Sequence, residues 1–194
     1  MHTEQHEAVA IHTSEAWHDL VPRLLREHGS RRVVEVGVWQ GDLSERILRE
    51  CPQVDQLILV DPWRPVYGRL DSGAWAMLGP GLNEREMTDA EAVTRYRMKP
   101  FGRRATILKL PSVEASRILT DGTLDAVLID ALHFEPHVSD DIRAWWPKLR
   151  RGGLMVGDDY GSFYPGVEIG VQAVFGERYK VLGQTWWVTN AHTA

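Results

Sequence analysis

The sequence predicts an α/β fold: a seven-stranded, mostly parallel sheet with helices on both faces, closed by a C-terminal antiparallel hairpin. Three observations predict it. Short apolar runs alternate with stretches of helical periodicity along nearly the whole chain. Those runs are continuously apolar, as strands covered on both faces must be. The last two runs meet around Gly183-Gln184, too tightly for a helical crossover, so they form a hairpin and place one strand antiparallel.

The elements follow in order. Residues 1–13 are polar and His-rich and read as a loose arm; His2 and His6 could share a helical face and hold a metal, but a frayed terminus is the plainer reading. Residues 14–28 read as a helix. Ser14 can cap it, and Trp17, Leu20, Val21, Leu24 and Leu25 recur at helical spacing before Gly29. "RVVEVGV" (32–38) is a strand, "LSERILRE" (43–50) a helix closed by Pro52, and "QLILVD" (56–61) a strand. Residues 62–104 then form an unusually long connection, which implies structure and a role of its own. Its first part, "YGRLDSGAWAMLGPGLNE", is glycine-rich and irregular; its second, "TDAEAVTRYRMKPF", reads as a helix behind a Thr88 cap. "ATILKL" (105–110) is a strand and "SVEASRILT" (112–120) a helix. "LDAVLID" (124–130) is a strand and "HVSDDIRAWWPKL" (137–149) a helix with Pro147 near its end. "GLMVGDD" (153–159) is a strand, "VEIGVQAVFG" (167–176) a helix, and "YKVLGQ" and "TWWVTN" the closing strands.

Bulk properties narrow the function. The 194 residues suit one domain over the whole chain, 1–194, with 62–104 as an insertion or lid. A formal charge of -5 argues against a general nucleic-acid binder, and the pairs Arg103-Arg104 and Arg150-Arg151 read as solvated surface. The single Cys51 excludes an intrachain disulfide framework and a cysteine-based zinc site, and fits a reducing cytoplasm. No apolar stretch approaches the ~20 residues of a membrane span, and the N-terminus lacks the apolar core of a signal peptide. A cytoplasmic protein with no membrane partner is the expectation. The tryptophan count leaves a homodimer open.

In such sheets ligands bind at the carboxyl ends of the strands, near the point where strand order reverses. The first strand–helix turn is "EVGVWQGDLS". Gly37 allows a sharp turn and Gly41 a close approach; Asp42 or Ser44 can cap the helix that follows. Trp39 stands where a dinucleotide G-x-G-x-x-G loop needs its second glycine, and the Lys-Ser/Thr ending of a P-loop is absent. Taken alone, Glu35 is a loop-capping carboxylate and Asp61 a strand-end Asp before a proline turn.

The E-x-G-x-x-x-G pattern of Glu35, Gly37 and Gly41, with Asp61 at the tip of the second strand, resembles the first motifs of class I S-adenosylmethionine-dependent methyltransferases. The resemblance covers residues 30–190 and implies a Rossmann-like sheet. It implies that Glu35, Gly37, Trp39, Gly41 and Ser44 hold the amino-acid end of the cofactor. Asp61 would bind the ribose hydroxyls, for which two acceptor oxygens suit a vicinal diol. Pro62 and Trp63 would cover the adenine face, Ser112 and Val113 contact its edge, and Asp130 also border the cofactor.

Asp130 ends the fourth strand, and Asp158 and Asp159 the fifth. Neighbouring parallel strands lie roughly 4.8 Å apart, so these carboxylates can converge on one ion. Oxygen ligands favour Mg²⁺, Ca²⁺ or Mn²⁺ over zinc. The arrangement is similar to that of metal-dependent O-methyltransferases of the catechol and macrocin types, which implies that Asp130, Asp158 and Asp159 bind Mg²⁺. His133 reads about equally as a general base, a further ligand, or a loop histidine. His133 and His137 are four apart, but Pro136 between them argues against a shared helical zinc face. One tryptophan of each pair, Trp145-Trp146 and Trp186-Trp187, should pack in the core. Tyr160, Phe163 and Tyr164, like Tyr67, Trp75 and Tyr96, read as pocket wall or as loop packing.

The resulting expectation is an enzyme that methylates a small-molecule hydroxyl of a sugar, polyketide or catechol-like acceptor. Bound Mg²⁺ would lower the hydroxyl's pKa, and Asp130 or His133 would take the proton. The alternatives are a metal-independent methyltransferase using His133 or Asp130 as base, a nicotinamide-binding oxidoreductase, which Trp39 disfavours, and a non-catalytic binding domain.

Overall fold

A computed structural model describes residues 17–69, 75–78, 83–161 and 163–191. The N-terminal arm with His2 and His6, and the Ser14 cap, lie outside the described residues, as do the side chains of Tyr67 and Trp75.

Helix α1 (Trp17–Glu27) precedes β1 (Arg32–Val36), α2 (Asp42–Glu50) and β2 (Gln56–Val60). A short hairpin, β3 (Val66–Arg69) and β4 (Trp75–Leu78), and helix α3 (Glu84–Met98) follow. Then come β5 (Ala105–Leu108), α4 (Ser112–Ser116), β6 (Leu124–Ile129), α5 (His137–Trp145), β7 (Leu149–Gly157), α6 (Pro165–Phe175), β8 (Lys180–Leu182) and β9 (Thr185–Thr189). Seven strands form one sheet in the order β5-β2-β1-β6-β7-β9-β8; β3 and β4 pair separately. The five strands from β5 to β7 are parallel, and β9 runs antiparallel to both β7 and β8, so the expected closing hairpin is present.

Side-chain alternation along the strands builds two cores, one on each face. Val33, Leu57, Leu59, Leu128 and Val156 pack under α1, α2 and α3. Val34, Val36, Ile58, Val127 and Met155 pack under α5 and α6. Trp145 and Trp186 are fully buried in the second core, whereas Trp146 and Trp187 are only partly covered.

Two sequence expectations are corrected in the 62–104 connection. Its glycine-rich part contains the β3–β4 hairpin rather than irregular chain only. Helix α3 starts before Thr88: Asn83 caps it, accepting from Arg85 N at 3.0 Å and Glu86 N at 3.1 Å, while Glu86 Oε2 accepts from Asn83 N at 2.8 Å. That reciprocal capping box satisfies the orphan amides of the first turn. Thr88 is interior, and its hydroxyl donates back to Glu84 O at 2.8 Å. α3 is also fixed to the body. Met98 enters the first core, Thr94 Oγ1 donates to Trp39 O at 2.8 Å, and Glu91 accepts from Lys109 just past β5. Among the described residues no helix is long and apolar enough to cross a membrane.

Candidate active site

The sheet order reverses between β1 and β6, and the strand ends there carry the polar residues. Gly37 N donates to Val60 O at 2.9 Å, Asp130 N to Val36 O at 2.8 Å, and Asp158 N to Ile129 O at 3.2 Å. These bonds continue the parallel ladder by one step. They bring Gly37, Asp61, Asp130 and Asp158 to a single rim. Gly37 has φ +85°, and a Cβ there would fall 1.8 Å from Asp130 O. Only glycine permits the two strand ends to approach in this way.

A cleft of about 660 Å³ opens along this rim. Of the sequence-derived site residues it is lined by Glu35, Gly37, Trp39, Asp61, Pro62, Ser112, Asp130 and His133. Gly41, Ser44, Trp63, Val113, Asp158 and Asp159 do not line it. Gly41 is the N-cap of α2, so neither Asp42 nor Ser44 caps that helix. Its open Cα side faces Thr94 of α3 rather than a ligand. Ser44 is buried and donates to Glu35. Trp63 is 3% exposed and packs in the first core, its Nε1 donating to Trp39 O at 2.8 Å. Val113 sits on α4, beyond the cleft wall. His18, Arg64, Met87 and Tyr164 also line the cleft. Their residue types carry no motif; Tyr164 alone has a sequence signal, its closeness to the carboxylate pair. A separate groove of about 790 Å³ runs between α2 and α3, past Arg49 and Tyr96, away from the strand ends.

Asp61 organises the loop. Its Oδ2 accepts from Val38 N at 2.9 Å and Trp39 N at 3.1 Å, and its Oδ1 from Trp63 N at 2.7 Å. Burial nevertheless raises its pKa, with these amides pulling it down. A carboxylate offers about four lone-pair sites, so one acceptor position on Oδ1 stays free beside the cleft. Glu35 points to the α2 face of β1 and is 2% exposed; burial pushes its carboxyl up to about 8 against the Ser44 hydrogen bond. Trp39 has φ +52° and its indole is half exposed at the cleft, a left-handed conformation held by hydrogen bonds on both its N–H and its carbonyl.

At the other end of the cleft the acidic cluster differs from the sequence expectation. Asp130, His133 and Asp159 each offer one ligand atom, all within 4.8 Å of one another. Asp158 is not part of that group. Asp159, just after β7, has φ +57°. Asp158 instead accepts from the Asp159 amide, and burial together with the Asp130 charge pushes it up to about 7. His133 Nε2 lies 3.5 Å from Asp130 Oδ1 and 3.1 Å from Asp159 Oδ2, yet it is buried without a well-aligned hydrogen bond. Burial disfavours its charged form, but contact with Asp130 and the charges of Asp159 and Asp158 outweigh this and raise its pKa. Two carboxylate oxygens and an imidazole nitrogen converging on one point fit a divalent cation. His137 starts α5 and takes no part in the group.

The comparisons agree with this architecture. A family model described as a methyltransferase domain matches residues 34–160, from β1 to just past β7. The chain belongs to this methyltransferase family and has the fold of the class I S-adenosylmethionine-dependent enzymes. Solved structures share the fold. The calicheamicin methyltransferase CalS11 superposes with a TM-score of 0.65 at 16% identity, covering 88% of this chain and 77% of its own. The O-methyltransferase NovP gives 0.61 at 19%, covering 88% and 76%. Cofactor-bound Rv0187 from MTB gives 0.57 at 17%, covering 94% and 83%. No curated protein matches the sequence.

Proposed function

We propose that this methyltransferase transfers the methyl group of S-adenosylmethionine to a hydroxyl of a small molecule, and that a divalent cation at Asp130, His133 and Asp159 activates that hydroxyl. The observation that carries the reading is the convergence of those three donor atoms beside the cleft. S-adenosylmethionine supplies a methyl group activated by a sulfonium. The chain's residues do the rest. The free oxygen position of Asp61 receives the ribose diol, the Glu35–Gly37 loop holds the amino-acid end, and Ser112 meets the base. A cation held by Asp130, His133 and Asp159 would supply a Lewis acid that lowers the pKa of the acceptor hydroxyl. CalS11 is a TDP-rhamnose 3'-O-methyltransferase, which supports a sugar hydroxyl as the acceptor class. Arg64, exposed at the cleft with no ion pair among the described residues, is available for an anionic group on that acceptor. A ligand set with one imidazole suits Mn²⁺ or another first-row ion better than Ca²⁺.

Mn²⁺ titration followed by electron paramagnetic resonance tests the triad. His133→Ala and Asp159→Ala should each weaken binding at least about tenfold, as loss of one of three ligands implies, whereas Asp158→Asn should change it little. The reverse ranking would restore Asp158 as a ligand and refute this set. A second reading rests on the buried Nε2 of His133 between two carboxylates: the imidazole alone accepts the hydroxyl proton. Turnover that survives exhaustive chelation would select it.

A further inference from the structure

Met87, Ala90, Thr94 and Met98 are spaced three or four residues apart and so share the inner face of α3. Thr94 is the polar member of this apolar stripe, and at 0% exposure it has no solvent to bond. A hydroxyl so placed needs a partner in the protein. Two carbonyls lie in reach of Oγ1, Ala90 O at 3.0 Å and Trp39 O at 2.8 Å. The helix ladder already serves Ala90 O. Trp39 O belongs to the turn after β1, at the cleft.

Trp39 is the residue that needs holding. Its φ of +52° is left-handed, a region that bulky side chains keep only where their surroundings impose it. Trp63 Nε1 and Thr94 Oγ1 both donate to its carbonyl, each at 2.8 Å, and its amide donates to Asp61 Oδ2 at 3.1 Å. Carbonyl and amide of one residue are linked through its φ and ψ alone, so fixing the first aims the second. Both donors to the carbonyl come from the 62–104 insertion. The rest of the turn lies along the same helix. A Cβ at Gly41 would stand 3.2 Å from Thr94 Cγ2, and Arg97, almost one turn beyond Thr94, pairs with Asp42.

We propose that Thr94 is a positioning residue for the methyl-donor site: it holds the Trp39 carbonyl, keeps that residue left-handed, and so keeps its amide on the Asp61 carboxylate that receives the ribose. The insertion thereby serves the donor and not only the acceptor. The inference rests on the cleft being the methyl-donor site.

Amide hydrogen exchange of the ligand-free chain, read by NMR, and calorimetric titration with S-adenosylhomocysteine test this. Thr94→Val keeps the branched shape and removes the donor. Exchange at the Trp39 amide should quicken roughly fivefold or more while the Val34 amide, inside β1, keeps its rate. The Kd for S-adenosylhomocysteine should rise roughly fivefold to tenfold, the effect of one lost hydrogen bond. Thr94→Ser returns the donor and should restore both readings. In a Trp39→Gly background the left-handed backbone carries no steric penalty, so Thr94→Val should then change Kd by about twofold or less. Undisturbed exchange at Trp39 in Thr94→Val overturns the proposal. So does equal quickening at Trp39 and Val34, a serine variant no better than the valine one, or a valine effect undiminished by Trp39→Gly. A wild-type chain that shows the exchange pattern yet binds no S-adenosylhomocysteine would instead refute the methyl-donor reading, and this inference with it.

Discussion

Glu35 is a carboxyl group with almost no solvent, and the fold keeps it neutral. Its folded pKa of about 8 stands above the ordinary value of 4.5. The folded state therefore holds a proton that the unfolded chain releases between those values. Stability from this group is full below the unfolded pKa and is lost as pH rises through about 8. The loss is on the order of a few kcal/mol. Glu35→Gln keeps an acceptor for Ser44 and removes the titration. Urea unfolding should show the variant gaining on the wild type between pH 5 and pH 9; equal pH slopes would contradict the burial argument. At the same scale Asp158 and Asp159 show what residue spacing conceals. The pair was legible as acidic and rim-located, but only the structure shows that Asp159, a residue of positive φ, is the one that meets Asp130 and His133. No sequence pattern encodes that sign.

At the scale of elements, α6 sets the position of His133. A Cβ at Gly166 would lie 2.4 Å from His133 O, and one at Gly170 would lie 2.2 Å from Glu135 Oε1. Helix and loop therefore touch along a glycine edge. In Gly166→Ala, helix propensity gains up to ~1 kcal/mol, while overpacking against backbone costs ~1–3 kcal/mol. The clash wins, and the 133–135 backbone must move. Mn²⁺ affinity at the triad should fall in this variant although no ligand is touched; undiminished affinity with a lowered melting temperature would confine the glycine's role to packing. The helix α6 itself was legible from its apolar run, but its neighbour was not, because contact between α6 and the 133–138 segment depends on how two crossovers pack on one sheet face. The start of α3 was legible and was misplaced: Asn83 with Glu86 three residues on carries the capping-box signal that Thr88 lacks.

At the scale of the whole molecule, the sheet gathers residues 35–39, 61, 112, 130–133 and 159 around one rim, and ligand binding there should stabilise the entire domain. S-adenosylhomocysteine at about 100 times its Kd adds ~2.7 kcal/mol. For a domain of this size that is a rise of roughly 5–10 °C in Tm. Asp61→Ala loses both the ribose acceptor and the anchor of the Val38–Trp39 amides, so its ligand-induced shift should largely disappear; a full shift in Asp61→Ala would remove Asp61 from the site. The sequence by itself determined the seven strands of the main sheet, their parallel order of appearance, the closing hairpin and the rim that carries Asp61, Asp130 and Asp158. Apolar runs and glycine turns are local signals, and side-chain period and turn chemistry read them directly. Only the tertiary structure decided that Trp63 and Ser44 face the core, that His133 replaces Asp158 among the converging donors, and that Trp145 Nε1 donates to Ser112 Oγ. Those outcomes depend on the direction of a side chain after a strand ends and on which helices meet. The packing of distant segments sets both.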